Sequence, residues 1–508
     1  MWLAAAAAAG LALLASSPYP GVSVDSGEYL AVADGLRRGH GLTMPYAGYD
    51  EGYRVLGPGE RVPMTQFPPL YSSLLAASGA TGMSLHAAAR VIGALSFAAL
   101  VALGAYLVWR ATRSTVFSAL AAGLLLAPDL VTIHAMVWSE QIMLLALLAA
   151  IVLSVRLLER RSTLDLVALG LCCAAASMAR FAGVSTIIAG SIVVATAYRG
   201  STTARFSRAA GFAAVTLAPT VAWFVRNSIV TGAVSEKEVA WHPPSLTVLG
   251  QAAQTIGGWV VPWRAVTMPV GILLVGAVLA TAAMRPRKLL AIVGGSVVQC
   301  CVLFAACYAA FLVAARMLMD QNIPFDTRLL SPLQTMLSIG LCIGVARRAR
   351  ASRRTVAFVA VAVLAVASTA RGVVLSTRFS ETTVAAYTSD RWRASETLAY
   401  AKTLPRSTFV ITNAPDPLWF WDDRPTQILP PRSSLYSGEP NESYSDQLTE
   451  LLVATRCRRA VLVFFSQPTR KPPRRVDPIV AGDLRVTDPT TFADGVAFEL
   501  DEPACNRA

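Results

Sequence analysis

The chain has 508 residues, of which 54% are hydrophobic and 15% are charged, whereas charged residues make up about 25% of a soluble globular protein. This composition excludes a purely soluble protein. The formal charge of +13 lies entirely before residue 371, since residues 371–508 hold 17 basic and 17 acidic residues. The basic residues form short clusters between apolar runs, as in membrane proteins, so nucleic acid is not the expected partner.

Hydropathy predicts a polytopic α-helical membrane protein, because many apolar runs approach the roughly 20 residues that cross a bilayer. Eleven crossings are predicted, at residues 2–17, 86–109, 115–131, 137–155, 164–179, 181–198, 209–225, 266–284, 289–313, 330–346 and 355–370. We interpret the first as a retained anchor. The pair that flanks Arg180 is open to a second interpretation, as one broken hairpin.

The basic clusters orient these crossings in the cytoplasmic membrane. With the N-terminus in the cytoplasm, five clusters face the same side, as the positive-inside rule requires. They are Arg110/Arg113, Arg156/Arg160/Arg161, Arg199/Arg205/Arg208, Arg285/Arg287/Lys288 and Arg347 to Arg354. Of the 14 acidic residues before residue 371, only Glu159 and Asp165 lie on that side.

This orientation divides the chain into two predicted domains. Residues 1–370 form the transmembrane domain, whose first outward loop spans residues 18–85. Residues 371–508 follow the last crossing outward and combine a helical stretch at 389–404 with strand-like runs at 408–412, 460–465 and 495–500. They predict a small extracytoplasmic α/β domain.

Six of the eight cysteines lie in apolar runs, where we expect them to be small hydrophobic residues. Cys457 and Cys505 lie in the outward domain, where an oxidising environment favours a disulfide between them.

The first outward loop places Asp25 close to the bilayer surface, about eight residues after the first crossing. A carboxylate there could act as a general base that removes a proton from an acceptor hydroxyl. The alternative is a solvated loop carboxylate or a helix cap.

Several short motifs together resemble the GT-C glycosyltransferases, in the branch of the protein mannosyltransferases and aminoarabinose-transferase-like enzymes. They occur in the order seen in that branch and cover roughly residues 1–346: Asp25-Ser26-Gly27-Glu28-Tyr29, Gly39-His40-Gly41, Phe67-Pro68-Pro69-Leu70-Tyr71, Trp138-Ser139-Glu140, Arg180-Phe181-Ala182-Gly183 and Phe325 to Pro332. The resemblance implies an inverting transferase that takes a sugar from a polyprenyl-phosphate carrier outside the cytoplasmic membrane. The Ala- and Arg-rich composition suggests a bacterial source, and hence a cell-envelope glycan, glycolipid or protein as acceptor.

By this resemblance Asp25 is the catalytic base, and Glu140 is the second acidic residue of the catalytic site, at the neighbouring loop. Possible substrate-binding residues are Glu28, Tyr29, His40 and Asp326. Protein mannosyltransferases commonly carry a paired Asp-Glu at the first position, whereas Ser26 and Gly27 separate Asp25 from Glu28 here, so protein is not the favoured acceptor.

Two arginines are candidates for holding the donor phosphate, because a guanidinium binds phosphate oxygens by two parallel hydrogen bonds. Arg180 lies between two apolar runs, where an unpaired charge is costly. Its alternative partner is a carboxylate such as Asp129 or Glu140. Arg328 follows Asp326, with which it could instead pair locally.

The sequence has no metal-binding motif, and a divalent cation stays open as a cofactor only if the fold brings Asp25, Glu28, His40, His134 and Glu140 together. The aromatic cluster 419–421 could stack on a sugar or pack in a core. Two other protein classes stay open: a secondary transporter, whose ionisable residues would lie near the membrane midplane, and a non-catalytic envelope-assembly protein.

Overall fold

The structure is a computed structural model of the whole chain. It describes all residues except 47–52, 58, 199, 233–240, 285–294, 320–321, 348–350, 434–438, 456–457, 467–485, 487–488 and 501–508.

Nineteen α-helices are found in the described residues. In chain order they are α1 Trp2–Ala15, α2 Val24–Arg37, α3 Leu70–Ala77, α4 Leu85–Thr112, α5 Thr115–Leu125, α6 Pro128–Ala135, α7 Glu140–Arg160, α8 Thr163–Ala179, α9 Val184–Ala197, α10 Thr202–Thr231, α11 Leu246–Gly258, α12 Arg264–Met284, α13 Ser296–Leu318, α14 Thr327–Ala346, α15 Ala351–Arg378, α16 Asp390–Arg393, α17 Glu396–Thr403, α18 Pro415–Asp422 and α19 Tyr444–Thr455.

Six of these helices are long and apolar enough to cross a membrane: α4, α7, α10, α13, α14 and the apolar part of α15. Helices α5 and α6 together form a seventh candidate, bent by 60°. The sequence predicts a single crossing over residues 115–131. The bend has a local cause, because Pro128 starts α6 and disfavours helical backbone at the residue before it. Helices α1, α8 and α9 and the described apolar part of α12 are shorter.

One large hydrophobic core joins the helices of the membrane part. Helix α1 packs against α4, α4 against α5 and α7, and α8 against α7 and α9. Glu159 and Asp165, the two acids on the predicted cytoplasmic side, are neutralised by arginines: Arg110 pairs with Glu159, and Arg156 lies 2.8 Å from Asp165.

The break between α8 and α9 leaves Arg180 in extended backbone, followed by a 3₁₀ turn at Phe181–Gly183. The two helices pack against each other. Gly183 is needed in this turn, since a Cβ atom there would lie 2.1 Å from the carbonyl oxygen of Ala176.

The C-terminal segment contains a four-stranded mixed sheet in the order β3-β4-β6-β5. Its strands are β3 Phe409–Thr412, β4 Ala460–Phe465, β5 Thr490–Phe492 and β6 Gly495–Glu499, and a two-residue pair, β1 Thr43–Met44 and β2 Val62–Pro63, lies in the first loop. Strands β3 and β4 are parallel, while β4–β6 and β5–β6 are antiparallel.

Both faces of this sheet are covered, as the all-apolar sequence of β4 requires. Val461, Val463 and Phe465 pack with residues of α17 and α18 on one face. Leu462 and Phe464 pack with residues of α19 on the other. The helix expected over 389–404 is interrupted, because Ser395 caps a new helix by accepting a hydrogen bond from the N–H of Leu398.

The six cysteines at 172, 173, 300, 301, 307 and 342 are free thiols, and four of them are fully buried. Cys457 and Cys505 lie outside the described residues, so a disulfide between them stays a prediction.

Candidate active site

A short strand-like segment fixes where α2 begins, and therefore where Asp25 lies. The N–H of Gly21 donates to the carbonyl of Ala135, and the N–H of Val137 donates to Gly21. On the other side, the N–H of Tyr387 donates to the carbonyl of Val22 at 2.8 Å. The segment is thus held between the loop before α7 and the chain that follows α15.

Glycine is required at the first of these positions. A Cβ atom on Gly21 would lie 2.1 Å from the sulfur of Met136. The missing side chain lets the two segments approach to backbone hydrogen-bonding distance.

Asp25 lies in the first turn of α2, and Glu140 is the first residue of α7. The two helix starts are joined by a hydrogen bond of 2.9 Å between the hydroxyls of Tyr29 and Ser139. Burial raises the pKa of the Tyr29 phenol, so this tyrosine acts as a neutral hydrogen-bonding group that aligns the two helices.

Arg328 lies in the first turn of α14, whose start is capped by Asp326: the N–H of Leu329 donates to Asp326 Oδ1 at 3.0 Å. Burial raises the pKa of Asp326. Arg328 and Asp326 interact electrostatically, but the close ion pairs of Arg328 are with other carboxylates. Its guanidinium instead reaches across to α2 and α7.

Asp25, Glu140, Arg180 and Arg328 form one cluster of two carboxylates and two guanidinium groups. Nη2 of Arg328 pairs with Asp25 Oδ2 and its Nε with Glu140 Oε1. Nη1 of Arg180 lies 3.0 Å from Glu140 Oε1 and 3.8 Å from Asp25 Oδ2. The formal charges cancel, which makes a buried ionic cluster tolerable.

The two carboxylates differ in exposure. The side chain of Glu140 is 1% exposed and that of Asp25 is 23% exposed. Glu140 is therefore placed to hold the arginines, whereas Asp25 can be reached by another molecule.

The charges of the cluster determine how Asp25 ionises. Burial raises its pKa, but the guanidinium groups of Arg328 and then Arg180 lower it, and the net shift is below the ordinary value of 3.8. Asp25 is thus a carboxylate at neutral pH.

The indole of Trp138 packs against Arg328 of the cluster. The guanidinium carbon of Arg328 lies 4.5 Å from the ring centroid, a cation–π distance, and the indole Nε1 donates to Ser23 Oγ at 2.8 Å. Trp138 belongs to the motif Trp138-Ser139-Glu140, from which no role for the indole was predicted. Its position two residues before Glu140 was the available signal.

Two expected substrate-binding residues, His40 and Glu28, lie at different distances from Asp25. His40 is exposed beyond the C-terminal end of α2, about 20 Å along the helix axis from Asp25 at 1.5 Å per residue. Glu28 follows Asp25 by one turn of α2, is buried, and interacts electrostatically with Tyr46 and Tyr387. The roles of His40 and Glu28 in substrate binding stay predictions.

The other candidates make packing contacts. His134 stacks on Phe97 and its Nδ1 lies 2.7 Å from the carbonyl of Leu130. In the cluster 419–421, Trp419 packs against Tyr46, Phe420 against His86, and Trp421 Nε1 donates to the carbonyl of Tyr387. No group of three or more His, Cys, Asp or Glu side chains suited to a metal ion occurs in the described part of the chain.

No family model and no curated protein matches this sequence. The structure is similar to that of ArnT from Cupriavidus metallidurans bound to undecaprenyl phosphate, with a TM-score of 0.57 at 15% identity over 98% of this chain and 97% of that chain. The apo state of ArnT matches with the same TM-score at 14% identity, again over 98% and 97% of the two chains. An oligosaccharyltransferase from Archaeoglobus fulgidus, tethered with an acceptor peptide, matches at 12% identity and a TM-score of 0.45, over 90% of this chain and 68% of that chain.

ArnT is a GT-C protein. The chain therefore shares the mostly helical fold of ArnT, and this likeness agrees, at the level of the fold, with the resemblance found in the sequence.

We predict that Glu140→Gln destabilises the protein by about 3 kcal/mol, because removing one partner of a buried ionic group leaves uncompensated charge. Thermal unfolding of the purified protein in detergent measures this as a fall in the unfolding midpoint. The matched control is Asp423→Asn, which removes an exposed pair with Arg38 at 3.2 Å and should change stability by less than about 1 kcal/mol. Equal midpoints for the two variants would contradict the role of Glu140 as counter-ion.

Proposed function

We propose that the protein is a glycosyltransferase that moves a sugar from a polyprenyl-phosphate carrier to a cell-envelope glycan, glycolipid or protein, on the outer face of the cytoplasmic membrane and with inversion. The observation that carries the proposal is the convergence of Arg180 and Arg328 beside Asp25, a partly exposed carboxylate. The fold supports it, because ArnT with this fold was found bound to undecaprenyl phosphate.

In this proposal the two arginines hold the phosphate of the donor. Both are 17% exposed, and both lie at breaks or starts of apolar helices, where a lipid phosphate would reach them from the bilayer. A phosphate replaces a carboxylate as partner without leaving a guanidinium unpaired. The planar fork of arginine suits two parallel hydrogen bonds to phosphate oxygens.

Asp25 acts as the general base. It accepts the proton of the acceptor hydroxyl while the hydroxyl oxygen attacks the anomeric carbon of the sugar. The bond from that carbon to the phosphate oxygen breaks, and its electron pair leaves with the polyprenyl phosphate held by the arginines. A single displacement from the opposite face inverts the configuration at the anomeric carbon.

Donor binding would also make Asp25 a stronger base. Arg328 and Arg180 lower the pKa of Asp25, and a base far below the operating pH is inefficient. A donor phosphate that draws the guanidinium groups toward itself weakens this effect, so the pKa of Asp25 rises once the donor is bound. Glu140, almost fully buried, keeps both arginines in position throughout.

The proposed topology has eleven crossings, with the N-terminus in the cytoplasm and residues 371–508 outside as a separate α/β domain. The seven candidate crossings and the four shorter apolar helices lie where the sequence places the eleven. Asp25, Glu140, Arg180 and Arg328 then share the outer side.

This topology predicts which introduced cysteines react with a membrane-impermeant maleimide in intact cells. Each cysteine is introduced singly into the Cys457→Ser/Cys505→Ser variant. We expect Ser443→Cys to be labelled without lysis and Thr203→Cys only after lysis; both positions are exposed. Labelling of both from the same side would contradict the proposed number of crossings.

We predict that Asp25→Asn lowers sugar transfer from a radiolabelled polyprenyl-phosphate donor on the order of 10²-fold or more, as loss of a general base does. Transfer is measured in membranes with matched protein levels. The control is Asp34→Asn, a carboxylate on the same helix that pairs with Arg38 at 2.8 Å and should leave transfer unchanged. Equal transfer by the native protein and Asp25→Asn would show that Asp25 is not the base. If the native protein transfers no sugar from any donor of a broad panel, the transporter and assembly classes are favoured.

The pH dependence of kcat/KM gives a separate test, because it reports the pKa of groups in the free enzyme. The base works as a carboxylate, so the rate falls as the pH falls through its pKa, which lies below 3.8 in the native protein. In Arg328→Gln the acid limb of the pH profile of the residual activity should shift to higher pH. Burial raises the pKa of Asp25, and one of the two cations that lower this pKa has been removed. Arg38→Gln, an exposed control, should keep the native profile; an unshifted profile in Arg328→Gln would exclude this account of the base.

A further inference from the structure

A cavity of about 270 Å³ lies between the start of α2 and the C-terminal sheet. It is lined by side chains from both parts of the chain, among them Ser23, Tyr387, Arg391, Trp392, Phe465 and Asp494. Its volume is near the lower end of small-molecule sites, which run from about 300 Å³ upward. A short end of a larger molecule fits such a space better than a whole polymer.

Aromatic rings form one wall of the cavity. The ring of Trp392 lies 5.2 Å from that of Tyr387 and 5.1 Å from that of Phe465, centroid to centroid. Trp392 is half-buried, so the wall is held by packing and still reached from the cavity. Rigid aromatic rings of this kind offer apolar area next to polar groups.

The rest of the lining combines apolar residues, Val24, Ala386 and Ala414, with polar groups of both signs of charge. Arg391 and Glu381 are exposed, and Asp494 Oδ1 accepts hydrogen bonds from the N–H and hydroxyl of Thr397. Two carboxylates against one guanidinium do not favour an anion, so a phosphate is not the expected occupant. Hydroxyls of Ser23 and Ser466 border the same space.

The cavity is connected to the four-charge cluster through one side chain. Ser23, in its wall, accepts a hydrogen bond from Trp138, whose indole lies against Arg328. Ser23 also precedes Asp25 by only two residues. A molecule in the cavity therefore lies next to the segment that carries the proposed base.

We infer that this cavity binds the terminal sugar residues of a neutral carbohydrate acceptor, with the C–H faces of the sugar on the aromatic wall and its hydroxyls on the polar groups. The inference rests on the proposed function for the role of the bound sugar as acceptor, while the binding itself can be measured without transfer.

A peptide fits the cavity less well. Extended peptides are commonly bound by pairing with the edge of a sheet. The cavity is bordered by Phe465 and Ser466, at the end of β4, and β4 is an interior strand with β3 and β6 on its two sides. The edge strands of this sheet are β3 and β5, so β4 presents only its end to the cavity.

Calorimetric titration of the full-length protein in detergent tests the inference, with maltotetraose, mannotetraose, an arabinotetraose and a neutral tetrapeptide as probes. We expect one of the saccharides to bind the native protein and Asp25→Asn with the same Kd. Ser466→Trp, which fills the cavity, should weaken that binding at least tenfold. Ser445→Trp, an exposed control on α19, should bind as the native protein does.

Arg391→Ala provides a second variant, which does not require the protein to tolerate a bulky side chain and should also weaken saccharide binding. Thermal unfolding identifies any variant that is misfolded. Three outcomes would overturn the inference. They are binding of the peptide in place of a saccharide, no binding of any probe to the native protein, and native affinity in folded Ser466→Trp and Arg391→Ala.

Transfer assays separate this inference from the proposed function. In the supporting case, Ser466→Trp raises the KM for the acceptor at least tenfold and leaves the KM for the donor nearly unchanged. Transfer with a native acceptor KM in Ser466→Trp overturns the cavity assignment while the transferase stands. Saccharide binding that is lost in Ser466→Trp, without transfer by the native protein, supports the cavity as a carbohydrate site and rejects the proposed reaction.

Discussion

The rest of the structure depends on placing two guanidinium groups, Arg180 and Arg328, at the edge of an apolar helix bundle. An isolated charge in such surroundings is very costly, and only close carboxylates or a ligand anion offset that cost. Asp25 and Glu140 provide the carboxylates. Because the four residues come from α2, α7, α14 and the α8–α9 break, their pairing constrains the positions of four separate parts of the chain.

The backbone around the cluster is arranged to keep these parts in register. Residues 21–22 are hydrogen-bonded to the loop before α7 on one side and to residues 385–387 on the other. Gly27 extends the contact, because its missing side chain lets Asp416 of α18 approach α2. The first loop is therefore fixed between the helix bundle and the C-terminal sheet, and the cavity beside Ser23 results from the same junction.

The four charged residues of the cluster were each predicted from the sequence: Arg180 from its place between two apolar runs, and Asp25, Glu140 and Arg328 mainly from the motifs that carry the family resemblance. The pair of Arg180 with Glu140, which the sequence offered as an alternative, is present at 3.0 Å, but the contacts of Arg328 with Asp25 and Glu140 were not predicted. Arg328 is 303 positions from Asp25 and 188 from Glu140, and no local pattern encodes contacts at that separation. His40, which belongs to the Gly39-His40-Gly41 motif of the same loop, is separated from Asp25 by the length of α2, and its role in substrate binding stays a prediction.

The same distinction applies to the fold. Long apolar helices and the strands β3, β4 and β6 follow from hydropathy and side-chain periodicity, which are local. The bend at Pro128 and the new helix start at Ser395 could have been predicted from a proline and a capping serine. The cavity could not, because Ser23, Trp392 and Asp494 meet only through the packing of the C-terminal sheet against the first loop.

In the proposed reaction the cluster links the two substrates through charge. Without a donor, each arginine is neutralised by a carboxylate, and the base is held in a weakly basic state by the same contacts that stabilise the fold. A donor phosphate brings its own negative charge, so the arginines can keep a partner while Asp25 loses part of its counter-charge. Asp25 then becomes an effective base only when a donor is present. The acceptor hydroxyl is therefore deprotonated only when the sugar that its oxygen will attack is already bound.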